Sequence, residues 1–183
     1  MSKQVDINIE LVNRCKKGDS KAQYQLFRLY SKAMYNIAFR FFNNKMDTED
    51  IIQESFVQAF SKIKSFKGES TFGAWLKRIV INKCLSEIRK RKIHYDDITP
   101  KLESEAIDED IDEQIKPELV HEAIKQLPEG ARIIVNLHVF EGYKHKDIAE
   151  MLNITESTCK TQFKRAKNLL AEYLKKYMYE YEN

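Results

Sequence analysis

Turn-forming residues are scarce in this chain, with 5 Gly and 3 Pro in 183 residues. So few turn signals, set among long periodic stretches, favour helix. Cysteine is equally sparse. Cys15, Cys84 and Cys159 are odd in number, far apart and without CxxC spacing. That argues for a reducing compartment and against a disulfide framework or a zinc site. No run approaches ~18 apolar residues, the length of a membrane span. The opening MSKQVDINIE has no apolar signal core. A soluble, cytoplasmic protein is expected. Enzyme signatures are missing as well. His94, His121, His138 and His145 show no HExxH or other ligand spacing, and neither G-x-S-x-G nor a Gly-rich phosphate loop occurs. The expectation is no catalytic residue, no metal, no cofactor and no small-molecule substrate.

The net charge of +3 conceals an asymmetry. Residues 96–114 hold nine acids and one base, Lys101, and carry −8, which leaves +11 for the rest of the chain. Two basic lobes should attract phosphate while the acidic stretch between them repels it. The boundaries follow from this pattern: a helical unit over 1–92, an acidic linker over 93–114 and a second helical unit over 115–183. The linker has one Pro and few apolar residues. About twenty extended residues at ~3.3 Å each span ~65 Å. The fold class expected is all-α.

Within 1–92, a helix near 7–16 should end at Lys17-Gly18, with Gly18 as its C-terminal cap. Asp19 or Ser20 should start a longer helix through Ala22, Leu26, Tyr30, Met34, Ile37, Ala38 and Phe41. Asp47 or Thr48 should cap the next helix, and Ser70 or Thr71 the one after. The most informative stretch is 47–92, DTEDIIQESFVQAFSKIKSFKGESTFGAWLKRIVINKCLSEIRKRK. Over 47–64, Ile52, Phe56, Ala59, Phe60 and Ile63 share one helical side, and Asp47, Asp50, Glu54 and Ser61 share the other. Taken alone, that acidic stripe reads as a solvated face before it reads as a docking face.

Over 71–92, one apolar stripe (Phe72, Trp75, Leu76, Ile79) gives way to another (Ile81, Cys84, Leu85, Ile88) on roughly the opposite side. Along one edge run Thr71, Trp75, Arg78, Asn82, Ser86 and Arg89. An aromatic, hydrogen-bonding groups and cations together suit unstacked bases and phosphates. A lone Trp such as Trp75 is more often core than a base-stacking group, and Lys90, Arg91 and Lys92 also suit a solubilising helix end favoured by the dipole. Acidic helix, aromatic loop and basic edge together fit a protein that holds a basic protein surface and a nucleic acid at once.

The second unit carries a bihelical pattern, with Pro128 and Gly130 at one break and Gly142 at another. A short helix from Lys144 to Leu152 should turn Ile148, Ala149 and Leu152 inward. Asn153 suits a left-handed turn. Thr155 or Glu156 then opens a helix with Cys159, Phe163, Ala166 and Leu170 inside. Ser157, Lys160, Thr161, Lys164 and Arg165 remain mainly outside. This reads as a helix-turn-helix whose second helix is rich in base- and phosphate-contacting types, with a generic αα-hairpin as the plainer alternative.

Three motifs carry a resemblance: DTEDIIQESFVQAF at 47–60, FKGESTFGAWLKRIVINK at 66–83 and LPEGARIIVNLHVFEGYKHKDIAEMLNITESTCKTQFKRAK at 127–167. In this order they resemble an RNA polymerase sigma factor of the extracytoplasmic-function group, sigma-70 family. The likeness covers residues 8–92 and 115–178. It implies core RNA polymerase as partner, docked on Asp47, Asp50, Gln53 and Glu54. It implies that Phe66, the loop Lys67, Gly68, Glu69 and Ser70, and Asn82 melt a −10 promoter element and hold a flipped non-template base. Trp75, Arg78 and Arg89 extend that surface along the helix edge. It implies a duplex −35 element read by Ser157, Thr158, Lys160, Thr161, Lys164 and Arg165. Ser157 stands where the family often has Gly. An anti-sigma factor is a further implied partner. A two-domain helix-turn-helix repressor is the rival reading, which leaves the acidic helix beside the aromatic-basic edge unexplained.

Overall fold

The computed structural model describes residues 8–91 and 117–181, and every regular element among them is helical. The all-α expectation holds. Contacts divide the chain into Met1–Lys90 and Arg91–Asn183. The expected linker over 93–114 lies outside the described residues.

The first unit opens with helix α1, Ile9–Lys16. Gly18 closes it at φ +87°, and its N–H donates to the Cys15 carbonyl at 2.9 Å. A left-handed residue there favours glycine, which has no Cβ to clash. Asp19 then caps α2, Ser20–Phe42, by accepting from the Lys21 and Ala22 N–H groups at 2.9 and 3.1 Å. The Arg14 side chain, 2.7 Å away, holds the Asp19 carboxyl below its usual range, helped by those backbone donors.

Helix α3 spans Lys45–Ser61 and begins earlier than the expected Asp47 or Thr48 cap. Asn44 is the cap, its side chain accepting the Asp47 N–H at 3.1 Å. Asn43, left-handed at φ 49°, has just ended α2. Thr48 is fully buried, and its hydroxyl donates back to the Asn44 carbonyl at 2.6 Å. Two consecutive asparagines thus end one helix and start the next. Ile52, Phe56, Ala59 and Ile63 are buried as expected, Phe60 is half-buried, and Ile51 and Ser55 join the inner face.

After a 3₁₀ turn, Ile63–Ser65, the chain loops into α4, Phe72–Lys90. Thr71 caps α4, its Oγ1 accepting the Ala74 N–H at 3.2 Å. Helix α4 packs on both α2 and α3. Two neighbours account for its two apolar stripes: Phe72, Leu76, Ile81, Cys84, Leu85 and Ile88 are buried, with Val80 added, while Trp75 and Ile79 are half-buried.

The second unit contains α5 (Pro117–Gln126), α6 (Glu129–Val135), a π-helical turn over Asn136–Phe140, α7 (His145–Leu152) and α8 (Glu156–Tyr181). Pro128 marks the α5–α6 break, whereas Gly130 lies inside the first turn of α6 and is buried. Gly142, at φ +75°, marks the second break. Helix α8 is the hub, packed by α5, α6 and α7. Leu127, Ala131, Val135 and Ala166 form a core with Phe163, Leu169, Leu170 and Tyr173 against it.

Candidate protein and nucleic-acid interfaces

Burying one side of α3 leaves the other as an acidic face. Asp50, Gln53 and Glu54 are exposed and Asp47 is half-buried. Glu54 is not a bare charge, because it forms an ion pair with Lys83 of α4. That hydrogen bond and the Lys83 charge hold the Glu54 carboxyl below its usual range. No fixed sequence spacing marks a pair between separate helices. Only the packing of α3 on α4 makes it.

The loop between the 3₁₀ turn and α4 is presented like a tab. Residues 67–70 are exposed, and Gly68 turns the chain at φ +74°. Both ends of the tab are aromatic and buried. Phe66 is 3% exposed and Phe72 0%. The ring of Phe66, expected to offer a stacking face to a base, is therefore occupied. It packs at 6.0 Å from Phe72 and 5.4 Å from Trp75, and Tyr30 closes the cluster at 5.4 Å from Phe72. An aromatic beside two others gains more from burial than from water. Trp75 is half-buried in this cluster, so both descriptions of it hold: one part is core and the rest reaches the surface.

Beyond Trp75, the α4 edge carries Arg78, Asn82, Ser86 and Arg89, all exposed. Arg89 donates to the Leu85 carbonyl at 3.3 Å, which keeps its side chain along the helix. Lys62 and Lys64 are exposed just ahead of the loop. With Lys67 they put three lysines within six residues, a signal the sequence carried and the motif reading passed over.

In the second unit, Ile148, Ala149 and Leu152 are buried as expected. Asn153 turns at φ 56°, and the Ile154 N–H reaches the Ala149 carbonyl at 3.0 Å. Thr155 caps α8, its Oγ1 accepting the Thr158 N–H at 3.0 Å, and the two hydroxyls lie 2.8 Å apart. Ser157, Lys160, Thr161 and Lys164 are exposed, while Thr158 and Arg165 are half-buried. Lys160 pairs with Glu156 at 2.7 Å and holds that carboxyl below its usual range. The outer face of α8 thus offers a row of donors, hydroxyl and cationic, as a major-groove helix requires.

Behind that face sits a group the motif reading missed. His138 and His145 stack at 4.2 Å, with Phe163 at 4.7 and 5.1 Å from them. His138 Nδ1 lies 2.8 Å from the Tyr143 carbonyl, so that nitrogen carries the proton. The Cys159 sulfur lies 3.6 Å from His145 Nδ1. Burial pushes the Cys159 thiol up to about 11, so it stays protonated. Burial, then the neighbouring His138, lowers His145. No motif spacing marks two histidines and a phenylalanine brought together from three separate elements.

Known proteins give the same division. Residues 26–93 match the family model of Sigma-70 region 2, and residues 118–170 match that of Sigma-70, region 4. The chain is 32% identical to the ECF RNA polymerase sigma factor SigM of Mycobacterium tuberculosis strain Erdman, over 91% of this chain and 84% of that one. It is 30% identical to the ECF RNA polymerase sigma-E factor of Haemophilus influenzae, over 87% of this chain and 91% of that one. Among solved structures, the sigma factor RpoE of Bartonella quintana, in complex with the anti-sigma factor NepR, matches with a TM-score of 0.51. Its identity is 27%, over 83% of this chain and 96% of that one. CnrH, solved with the cytosolic domain of CnrY, shares the fold at a TM-score of 0.52 and 21% identity, over 93% and 98% of the two chains. A repressor would match through its helix-turn-helix alone. With region 2 and region 4 both present, in that order, the chain belongs to the extracytoplasmic-function group of sigma-70 family RNA polymerase sigma factors, which bind core polymerase and direct promoter-specific initiation.

Proposed function

We propose that the acidic face of α3 (Asp47, Asp50, Gln53, Glu54) docks on core polymerase, and that the adjoining loop and α4 edge capture the melted −10 element. Residues 67–70, Trp75, Arg78, Asn82 and Arg89 meet the non-template strand, and Phe66 fixes the loop from beneath. In the second unit, Ser157, Thr158, Lys160, Thr161, Lys164 and Arg165 read the duplex −35 element. The protein performs no chemistry of its own and works in the cytoplasm. An anti-sigma factor of the kind seen with the Bartonella RpoE is a natural partner for these exposed surfaces. The chain is divided at 1–92, 93–114 and 115–183, the acidic linker setting the reach between the two promoter contacts.

The observation that carries this reading is the exposed tab of residues 67–70, flanked by the buried aromatics Phe66 and Phe72 and leading into α4, whose edge exposes Arg78 and Asn82. Unstacking a base costs a few kcal/mol and needs a prearranged receptor to offset it. Transcription by core polymerase with this protein on a genomic fragment library, with start sites mapped, tests the function. Promoter-specific starts that disappear with Asp50→Lys support it. Random starts, or full activity and polymerase co-purification in Asp50→Lys, sink the assignment of α3.

A further inference from the structure

Helix α1 lies outside the stretch matched by the region 2 family model, which begins at residue 26. Yet Lys16 at the end of α1 holds Phe66 directly, and Asn8, just before α1, reaches Phe72 through Tyr30. At the leading end, the Lys16 ammonium donates to the Phe66 carbonyl at 2.7 Å and sits 5.5 Å from the centre of the Phe66 ring. At the trailing end, Asn8, just before α1, donates to the Tyr30 hydroxyl at 2.9 Å, and the Tyr30 ring lies against Phe72. Val12 and Cys15, both buried, seat α1 on the unit, and the Arg14–Asp19 ion pair locks the turn that follows it.

We infer that Lys16 is a positioning residue for promoter opening: its contact with Phe66 fixes where the exposed tab of residues 67–70 leaves the core. The proposal rests on that tab being the receptor for the melted −10 strand. The physical case is simple. Phe66 is the last buried residue before four exposed ones, and its carbonyl is the last backbone acceptor tied to another element before the tab. The ammonium satisfies that carbonyl and holds the ring by a cation–π contact. Without it the aromatic cluster still buries the Phe66 ring, so the unit folds. The peptide leading into the tab is then free to rotate, and each captured base must first order it.

The test uses polymerase holoenzyme on a mapped promoter, with Lys16→Met, Lys16→Arg and a variant carrying alanine at 67, 69 and 70. Permanganate reactivity reads opening, and co-purification reads polymerase binding. Emission of Trp75, the sole tryptophan and 5.4 Å from Phe66, reads the cluster. Lys16→Met is expected to reduce the open fraction about three- to tenfold, the scale of one half-exposed charged hydrogen bond. It should shift Trp75 emission and leave polymerase and duplex −35 binding unchanged. Lys16→Arg should restore most of both readings. A defect in the loop variant with wild-type opening in Lys16→Met overturns the role of Lys16 and leaves the tab in place. Wild-type opening in both overturns the tab, and the inference with it. If Lys16→Met loses helical signal, Lys16→Gln carries the same readings, and wild-type opening in a folded Lys16→Gln refutes the proposal.

Discussion

At the scale of single residues, burial separates side chains that a motif treats alike. Phe66 and Asn82 both belong to the −10 pattern, but one is 3% exposed and the other open to solvent. Removing a buried phenylalanine costs about 3–5 kcal/mol. Phe66→Ala should therefore lower the melting temperature and weaken every activity of the unit together. Asn82→Ala should leave melting unchanged and reduce only opening. Thermal melting and permanganate footprinting on the two variants check this, and equal melting temperatures would contradict the burial of Phe66. On α8, Lys160 pairs with Glu156, and the proposed −35 contact requires it to exchange that partner for DNA. Its loss removes a contact of ~1–3 kcal/mol if it reaches a base edge. Lys160→Ala should weaken −35 binding by that amount at matched sites, and quantitative footprinting at fixed salt reads it.

Helices and their junctions carry the second tier. A Cβ at Gly73 would meet Tyr30 Cε1 at 2.8 Å. That atom belongs to a ring held by Asn8 and packed on Phe72, so it yields poorly. Alanine gains about 1 kcal/mol of helix propensity over glycine. Forced overpacking costs about 1–3 kcal/mol, so Gly73→Ala should destabilise the first unit on balance, as denaturant unfolding would show.

In the second unit, the His138–His145 stack joins the π turn to α7, and Phe163 ties both to α8. The titratable groups that act on His145 are His138, Lys160 and Glu156. Its folded pKa is lowered below the ordinary 6.5. The unfolded chain therefore binds the proton more readily, and stability rises with pH across this window. His145 contributes fully above pH ~6.5, and the contribution is lost as pH falls below that value. Unfolding of the second unit should shift to lower denaturant between pH 7 and 5.5, and less so in His145→Gln. An unchanged pH slope in that variant would remove His145 as the cause.

For the whole molecule, charge distribution matters more than net charge. The acids of 96–114 offset much of the +11 carried elsewhere. Replacing all nine with Asn or Gln raises the net charge to +12. Non-specific DNA affinity should then rise, most at low salt, where phosphate attraction is least screened. Promoter selectivity should fall in parallel, and titrations on promoter and random duplexes over a salt series would measure both.

What the sequence determined by itself was everything that local periodicity and turn chemistry encode. Gly18, Asp19, Thr71, Asn153 and Thr155 each mark a helix end by a conformation or a cap that few other residues supply, and the structure puts them at those ends. The two stripes of α4 are visible in its residues, and its packing on α2 and α3 supplies the reason for them. Tertiary structure decided the rest, because the deciding contacts join residues with no fixed spacing. Asn44 outcompeted Asp47 and Thr48 as a cap, since Thr48 was drawn into the core. Glu54 found Lys83, and Lys16 found Phe66 fifty residues away. Phe66 was turned inward because three other aromatic rings were already gathered there. A motif states which side chains are present, and packing states which of them are left facing the DNA.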